Sequence, residues 1–320
     1  GQQTTGNSTP GRAIPGSGRV APRPRVNLST GELAALGCAF RWALNGLLLR
    51  TQSAKIPPAT MNATRCAVAG GIFLLILPFD SSFSDLLQVP LKEWGLLFFS
   101  VTIGIAVGDT LYLVALKEIG ISRAIALSGT FPLTTMLWEA VLLDHPPSSS
   151  LLTGSLLVAA GVVFLSRQAS PGATAADVPV RLKLGVFLSL VASLFWGLSS
   201  VTLKPAIAHL TLIQANAVRM PMVAIFLFFT RILPSDKESL RAFDLRSFLI
   251  VASTGILGMG IGAYLFLYAI NSSEVTKAVT LTSTAPLFGM IMGAIFLKEK
   301  LTLRLVLGMA CCMAGVWVVV

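Results

Sequence analysis

The chain contains one unit twice, and this duplication constrains its fold more than any other feature of the sequence. Residues 104–145 align without a gap on residues 258–299, and 13 of the 42 aligned positions are identical. A gapless match at one fixed spacing indicates an internal repeat. The residues paired at this offset of 154 include Gly104/Gly258, Gly108/Gly262, Ala115/Ala269, Ala124/Ala278, Pro132/Pro286, Trp42/Trp196, Arg65/Arg219, Gly154/Gly308 and Gly161/Gly315.

The composition indicates that the solvent of this chain is a lipid bilayer. Of the 320 residues, 54% are hydrophobic and 12% are charged, and the mean hydropathy is +0.79. Soluble domains contain about 25% charged residues. The net charge of +10 is interpreted as loop charge that orients the chain in the membrane. The basic residues form no stripe with interleaved aromatic residues, so nucleic-acid binding is not expected.

Ten apolar stretches are long enough to cross a membrane, which requires about 20 mostly apolar residues. We therefore predict an all-α membrane protein with a disordered tail at 1–30, a first repeat at 31–167, a linker at 168–181 and a second repeat at 182–320. Each repeat contributes five transmembrane helices. The predicted spans are 32–50, 61–79, 93–116, 121–142, 151–167, 182–203, 213–233, 247–270, 275–297 and 302–320.

Five helices per repeat have a topological consequence. An odd number leaves the chain on the far side of the membrane, so the second repeat enters from the opposite face and the two repeats form an inverted pair. This architecture is common in secondary transporters, which bind substrate between the halves near the bilayer midplane. Fourteen Lys and Arg residues lie in the odd-numbered breaks and three in the even-numbered ones, which favours termini that face away from the cytoplasm.

Five charged residues lie within the predicted spans, where charge is expensive and is usually paired or lines water. Arg65 and Arg219 are near helix ends, so their side chains either extend to the interface or have a function. The other three, Arg41, Asp109 and Glu139, belong to the first repeat alone. Their equivalents are Phe195, Ala263 and Gly293.

We expect the charge of the first repeat to serve a substrate or a proton. Asp109 and Glu139 are the candidates for proton or charge coupling, and Arg41 is the candidate for a substrate carboxylate. Asn45 lies one helical turn from Arg41 and on the same face. The alternative is a structural ion pair between Arg41 and one of the two carboxylates.

Two prolines are predicted to kink the fourth span of each repeat beside a cavity. Pro132 cannot donate to the carbonyl of Ser128, and Pro286 cannot donate to that of Thr282. Interrupted backbone is tolerated in membranes where it lines a cavity or is satisfied by a neighbouring helix. A kink that only shapes packing is the alternative.

Aromatic side chains form the second group of candidate substrate contacts. Trp42 and Trp196 lie in the middle of spans and not in the interfacial belt. The three tyrosines of the chain, Tyr112, Tyr264 and Tyr268, also lie in spans. These rings either bind the organic part of a substrate or fill the core.

The sequence contains no signature of an enzyme, a metal site or a cofactor site. It lacks HExxH, Walker, GxSxG and Rossmann patterns. The two histidines lie at span ends, and the four cysteines form no CxxC pair. We therefore expect no enzymatic activity, no cofactor and no metal, and transport driven by an ion or substrate gradient.

The repeat resembles the EamA domain of the drug/metabolite transporter superfamily across residues 32–320. That family has a glycine-rich third helix, a mid-helix proline in the fourth, a Leu-x-Glu segment and a last helix with spaced glycines. The second copy carries all of these, including Leu297-Lys298-Glu299. The first copy departs from the pattern, because Asp144-His145 stands where the second has Lys298-Glu299.

The resemblance implies a multi-pass carrier of small polar metabolites with a central cavity and alternating access. Our main hypothesis is an amino-acid or metabolite exporter of the cell (inner) membrane, whose partners are a small-molecule substrate and membrane lipids. A lipid-handling or non-transporting interaction protein is the second hypothesis, and a membrane enzyme is the third.

Overall fold

The structure is a computed structural model that describes residues 28–50, 52, 55–119, 124, 127–144, 146–166, 181–235, 244–296 and 303–320. Most of the tail expected at 1–30, nearly all of the linker expected at 168–181 and the Leu297-Lys298-Glu299 segment lie outside these residues. The regular structure of the described part is helical throughout.

The helices of the first half are α1 (Thr30–Arg50), α2 (Pro58–Asp80), α3 (Phe83–Leu86), α4 (Leu91–Val101), the π-helical segment π1 (Thr102–Asp109), α5 (Thr110–Ile119), α6 (Phe131–Leu143) and α7 (Ser149–Ser166). Those of the second half are α8 (Leu182–Ala206), α9 (Leu212–Leu227), π2 (Phe228–Ile232), α10 (Leu233–Ser235), α11 (Leu245–Thr254), π3 (Gly255–Gly262), α12 (Ala263–Ser272), α13 (Val275–Thr282), α14 (Ala285–Phe296) and α15 (Leu303–Val319).

Five of the described helices are long and apolar enough to cross a membrane, and three shorter apolar helices accompany them. Ten spans were predicted, and these helices do not establish that number. The fourth span of each half is interrupted by a turn. The first span of the chain contains Arg41 and Asn45, which lower its hydropathy. The outer surface is apolar, as a lipid-facing surface must be; Phe79 is 90% exposed and Trp317 is 62% exposed.

The first helix of each half packs antiparallel against the third span of the other half. Helix α1 runs along α11–π3–α12, with Gly31 against Ser272 at one end and Asn45 against Gly258 further on. The Cys38 thiol donates to the Gly262 carbonyl, and the distance from Sγ to the carbonyl oxygen is 3.2 Å. The halves are thus joined through their first and third spans.

The same arrangement is repeated where α8 runs along α4–π1–α5. Gly185 lies against Ile119, and Gly104 lies against Ser199. The Ser100 hydroxyl donates to the Ser199 carbonyl at 2.8 Å, and the Ser199 hydroxyl donates to the Ser100 carbonyl at 2.8 Å. These reciprocal bonds satisfy polar groups that would otherwise be buried without partners.

The last helices of the two halves touch backbone to backbone through the repeated glycines. A Cβ atom on Gly161 would lie 2.8 Å from the Gly308 carbonyl oxygen, and one on Gly315 would lie 2.7 Å from the Gly154 carbonyl oxygen. Small residues allow this close approach of membrane helices. Since Gly154 opposes Gly315 and Gly161 opposes Gly308, α7 and α15 are antiparallel.

A π-helical segment interrupts the third span of both halves at equivalent places. The segment π3 begins at Gly255 and ends at Gly262, and π1 occupies the equivalent stretch one residue later, at Thr102–Asp109. Isolated π turns inside α-helices are frequent at functional sites. The duplicated unit therefore carries a wide helical turn next to its paired glycines.

A turn precedes each of the two prolines at which the sequence predicts a kink. Pro132 is the second residue of α6, and Pro286 is the second residue of α14. Just before them, the amides of Thr130 and Thr284 each donate to the carbonyl three residues earlier, at 3.2 Å in both halves. The fourth span is therefore divided into two helices, because a new helix can begin at a proline that needs no amide donor.

We expect Gly315→Ala to destabilise the protein because the added methyl would lie 2.7 Å from the Gly154 carbonyl oxygen. Overpacking of this kind costs about 1–3 kcal/mol. The matched control is Gly71→Ala, since a Cβ there meets nothing within 4 Å and alanine favours a helix by about 1 kcal/mol. The measurement is the melting temperature of the detergent-purified protein. Equal melting temperatures for the two variants would contradict the close contact of α7 and α15.

Candidate functional site

Trp196 holds the carboxylate of Asp109 at the end of π1. The indole Nε1 donates to the Asp109 Oδ1 at 2.9 Å. The Trp196 ring lies over Gly108 and contacts the rings of Tyr112 and Phe131, at centroid distances of 5.1 and 5.8 Å. Four of the residues in this group come from the first half and Trp196 comes from the second, so the group lies at the contact between the halves.

Trp42 occupies the equivalent position in the other half but has different chemistry beside it. Its indole lies over Gly262, and its ring is 5.3 Å from that of Phe266. Ala263 stands where the first half has Asp109. The packing of the tryptophan is thus duplicated, whereas the carboxylate that accepts from it is present only once.

Asn45 connects this contact to a buried arginine. With its amide oriented so that both ends are satisfied, Asn45 donates to the Thr254 carbonyl at 3.0 Å and accepts from Arg65 Nη2 at 3.2 Å. Asn45 and Thr254 are the equivalents of Ser199 and Ser100, which also bind each other. The longer Asn45 side chain extends the same contact to a guanidinium.

Arg65 and Arg219 are both buried, with 5% and 3% of their surfaces exposed. Side chains that extended to the membrane interface would be exposed, so the structure does not support that reading of these residues. Arg219 Nη1 donates to Asn216 Oδ1 at 3.4 Å, and Arg65 lies within electrostatic range of Asp109. These guanidiniums are polar groups inside the protein.

Helix α2 contacts both π segments beside Arg65. The Asn62 amide donates to the Ile105 carbonyl of π1 at 2.9 Å. A Cβ on Gly255 of π3 would lie 2.7 Å from the Arg65 carbonyl oxygen. Both π segments, one from each half, therefore contact the helix that carries Arg65.

Arg41 and Tyr268 take no part in this cluster through described contacts. The salt bridges of the described residues join His209 to Glu93 and Lys277 to Glu32, and neither involves Arg41. The Tyr268 hydroxyl donates to Thr30 Oγ1 at 3.3 Å, at the beginning of α1. Asn45 is 15 residues further along that helix, or about 22 Å at 1.5 Å per residue.

Tyr264 packs against the buried cluster that contains Cys66 and Met220. The sequence had placed all three tyrosines in one group of candidates. In the structure, Tyr112 contacts Trp196, Tyr264 packs at the α2–α9 contact and Tyr268 donates to the first residue of α1.

Glu139 is bound to the beginning of α13 and not to Arg41. It accepts from the Thr276 amide at 3.0 Å and from the Thr276 hydroxyl at 2.5 Å. A carboxylate at this position satisfies amides that a helix N-terminus leaves free and interacts favourably with the helix dipole. This arrangement gives Glu139 a stabilising contact between α6 and α13.

Polar contacts close the N-terminal face of the molecule, which we define by the starts of α1 and α13 and the end of α8. Glu32 of α1 pairs with Lys277 of α13. Lys204 Nζ donates to the Ser273 carbonyl at 2.7 Å. Nearby, His209 Nδ1 and Glu93 Oε1 are hydrogen-bonded at 2.6 Å. Elements of both halves thus meet through charged groups at this face.

The described residues contain no group of three or more metal-binding side chains. The cysteines of the described part are free thiols at positions 38, 66, 311 and 312. The expectation that no metal is bound remains a prediction.

Sequence reasoning had treated Arg65 and Arg219 as residues near helix ends and had not seen the π segments. A signal for the arginines was available, because Asn-Ala-x-Arg occurs at 62–65 and again at 216–219. Both copies of the repeat kept an asparagine one turn before the arginine, which favours a position inside the fold over one at a variable surface.

The apolar exterior and the five described helices long enough to cross a bilayer define a multi-pass integral membrane protein. The sequence profile of the EamA-like transporter family matches the chain twice, at residues 29–167 and 183–320. The chain belongs to this family.

Two relatives are similar over most of their length. An uncharacterized transporter from Archaeoglobus fulgidus is 29% identical over 276 residues, which cover 86% of this chain and 92% of the relative. The uncharacterized transporter YvbV from Bacillus subtilis is 23% identical over 271 residues, which cover 84% of each chain. One solved crystal structure shares the fold with a TM-score of 0.72 at 19% identity, and the match covers 91% of this chain and 97% of that one.

We expect Trp196→Phe to lower stability more than Trp42→Phe does. Both changes keep a ring over a glycine, but only Trp196 donates a hydrogen bond to a carboxylate. Loss of a hydrogen bond to a charged group costs about 1.5–3 kcal/mol. The measurement is the melting temperature of each variant in the same detergent. An equal decrease for the two variants would show that the bond between Trp196 and Asp109 contributes nothing.

Proposed function

We propose that this protein is a secondary transporter of small polar metabolites, an amino-acid or metabolite exporter of the cell membrane that works by alternating access and is driven by an ion or substrate gradient. One observation carries the proposal. A polar cluster of Trp196, Asp109, Asn45 and Arg65 lies where the two inverted halves meet, inside a protein whose exterior is apolar.

The fold supports alternating access through its paired contacts. The first helix of each half packs on the third span of the other through glycines and hydrogen bonds, which are reciprocal between Ser100 and Ser199. Such contacts can be remade at a different angle when one half rocks against the other around a fixed site. The π segments and the divided fourth spans provide places where the backbone can bend without losing a long run of helix.

The roles of the side chains follow from their surroundings. Asp109 is the carboxylate that we assign to proton or charge coupling, because its described partner is one indole N–H. Glu139 is the weaker candidate, since it is already bound to the amide and hydroxyl of Thr276. Trp42, Trp196 and Tyr112 are assigned to the organic part of the substrate, and Arg41 remains a candidate for its carboxylate.

The test is solute counterflow in liposomes that contain the purified protein, with pooled labelled amino acids and sugars, with and without a pH gradient. We expect saturable exchange by the unmodified protein. Asp109→Asn should abolish the response to the pH gradient, because an amide cannot exchange a proton. Glu139→Gln is the matched control for the loss of a buried carboxylate, and we expect it to keep that response.

Each other outcome has a defined meaning. A pH response that is lost in Glu139→Gln and kept in Asp109→Asn would reverse the assignment of the coupling residue. If folded protein exchanges no pooled solute, the lipid-handling or interaction hypothesis gains support over transport.

A further inference from the structure

Arg65 and Arg219 are buried cations whose hydrogen-bonding capacity is largely unused. A guanidinium has five N–H donors. Among the described residues, Arg65 donates to Asn45 and Arg219 donates to Asn216. The Nε atoms of both side chains are buried and have no hydrogen-bond partner in the described part of the chain. Neither forms one of the salt bridges found there.

The charge of this region is not balanced by the carboxylate nearby. Both guanidiniums lie within electrostatic range of the Cys66 thiol, so they act on the same part of the interior. Asp109 lies within electrostatic range of Arg65 but already accepts from Trp196, and no carboxylate of the described residues forms a salt bridge with Arg219. A buried charge without a partner is strongly unfavourable, and charged residues inside membrane proteins usually mark a path for a substrate or ion.

The two arginines occupy equivalent positions on two helices in contact. Each is the eighth residue of its helix, because α2 begins at Pro58 and α9 begins at Leu212. Seven residues correspond to about 10 Å along a helix axis. The two helices pack closely beyond the arginines, since a Cβ on Gly70 of α2 would lie 2.8 Å from the ring of Pro221 of α9.

We propose that Arg65 and Arg219 form an oxoanion-binding site, in which they bind a carboxylate or phosphate group of the transported solute. The guanidinium fork matches the two oxygens of either group. This assignment rests on the proposed transport function. It places the anionic group of the solute at the α2–α9 contact and not at Arg41 of α1, which is the candidate from the sequence. Trp196, which binds Asp109 and contacts Tyr112, is then left for the organic part of the solute.

The test measures binding without transport. The melting temperature of the detergent-purified protein is recorded against glutamate, succinate and inorganic phosphate, with sodium chloride to match ionic strength. Glutamine is the matched solute, because it replaces the side-chain carboxylate of glutamate with an amide. We expect at least one of the three anions to raise the melting temperature in a saturable way. A response to phosphate without one to succinate assigns a phosphate site, and the opposite result assigns a carboxylate site.

The variants are Arg65→Gln and Arg219→Gln, with Arg231→Gln as the control. Arg231 is an exposed arginine of π2, in the same span as Arg219. We expect each buried variant to weaken anion binding at least about tenfold, the effect of one lost charge-assisted contact, and the control to bind as the unmodified protein does. Without ligand, Arg219→Gln should melt at or above the unmodified protein, because a buried charge without a described countercharge is removed. Arg65→Gln also removes a charge within electrostatic range of Asp109, so its melting temperature is compared with that of Arg219→Gln.

Several results would overturn the site. One is a lower melting temperature of Arg65→Gln and Arg219→Gln with unchanged anion binding, which indicates a structural role. A second is loss of anion binding in Arg41→Gln alone. A third is folded protein whose melting temperature responds to none of the anions. Counterflow of a neutral solute that the arginine variants leave unchanged would also overturn the site while keeping the transporter. Anion binding without any counterflow would support the site and contradict transport.

Discussion

The contact between a first helix and the glycine-rich third span of the other half is the interaction on which the rest of the structure depends. Trp42 over Gly262 and Trp196 over Gly108 are the same contact made twice. A large flat ring can lie on a helix backbone only where no Cβ intervenes, so the glycines determine where the tryptophans sit. The position of Trp196, in turn, determines where the indole N–H can reach the carboxylate of Asp109.

The structure keeps the packing of the duplicated unit and varies its polar side chains. Ser100 and Ser199 bind each other at one contact between the halves, and Asn45 binds Thr254 at the equivalent contact. Each contact satisfies polar groups at the contact between the halves, and a longer side chain can add a further bond without losing it. Asn45 is such an addition, because it maintains the contact with Thr254 and also reaches Arg65. One scaffold thus supports a centre that is not symmetric.

The sequence was informative wherever the bilayer or the repeat imposed a rule. It predicted the third spans at 93–116 and 247–270, and continuous helical stretches run from Leu91 to Ile119 and from Leu245 to Ser272. The kink beside a cavity that it predicted at both prolines stays a prediction, although a turn precedes each proline. These features follow from apolar length, from the missing proline amide and from comparing two copies within one chain.

Other features depend on tertiary contacts that no local pattern encodes. A π turn has the same composition as the α-helix around it, so π1 and π3 left no signal beyond their glycines. The burial of Arg65 depends on Gly255, which lies 190 residues away. The position of Glu139 within a predicted span makes it a candidate for charge coupling. Its carboxylate binds the first turn of α13, and this partner is visible only once α6 is packed on α13.

The contacts at the N-terminal face make the two ends of this inverted protein chemically unequal. Val186 is the repeat equivalent of Glu32, and Arg123 is that of Lys277; Ser247 and Lys55 correspond to Glu93 and His209. The charged pairs of one face therefore have no counterpart among the equivalent residues of the other. Two backbone arrangements related by the pseudo-symmetry would differ in free energy for this reason, and each 1.4 kcal/mol of difference changes their ratio about tenfold. If the protein works by the alternating access proposed above, the side chains of this face, and not the backbone, determine which of the two arrangements is more populated.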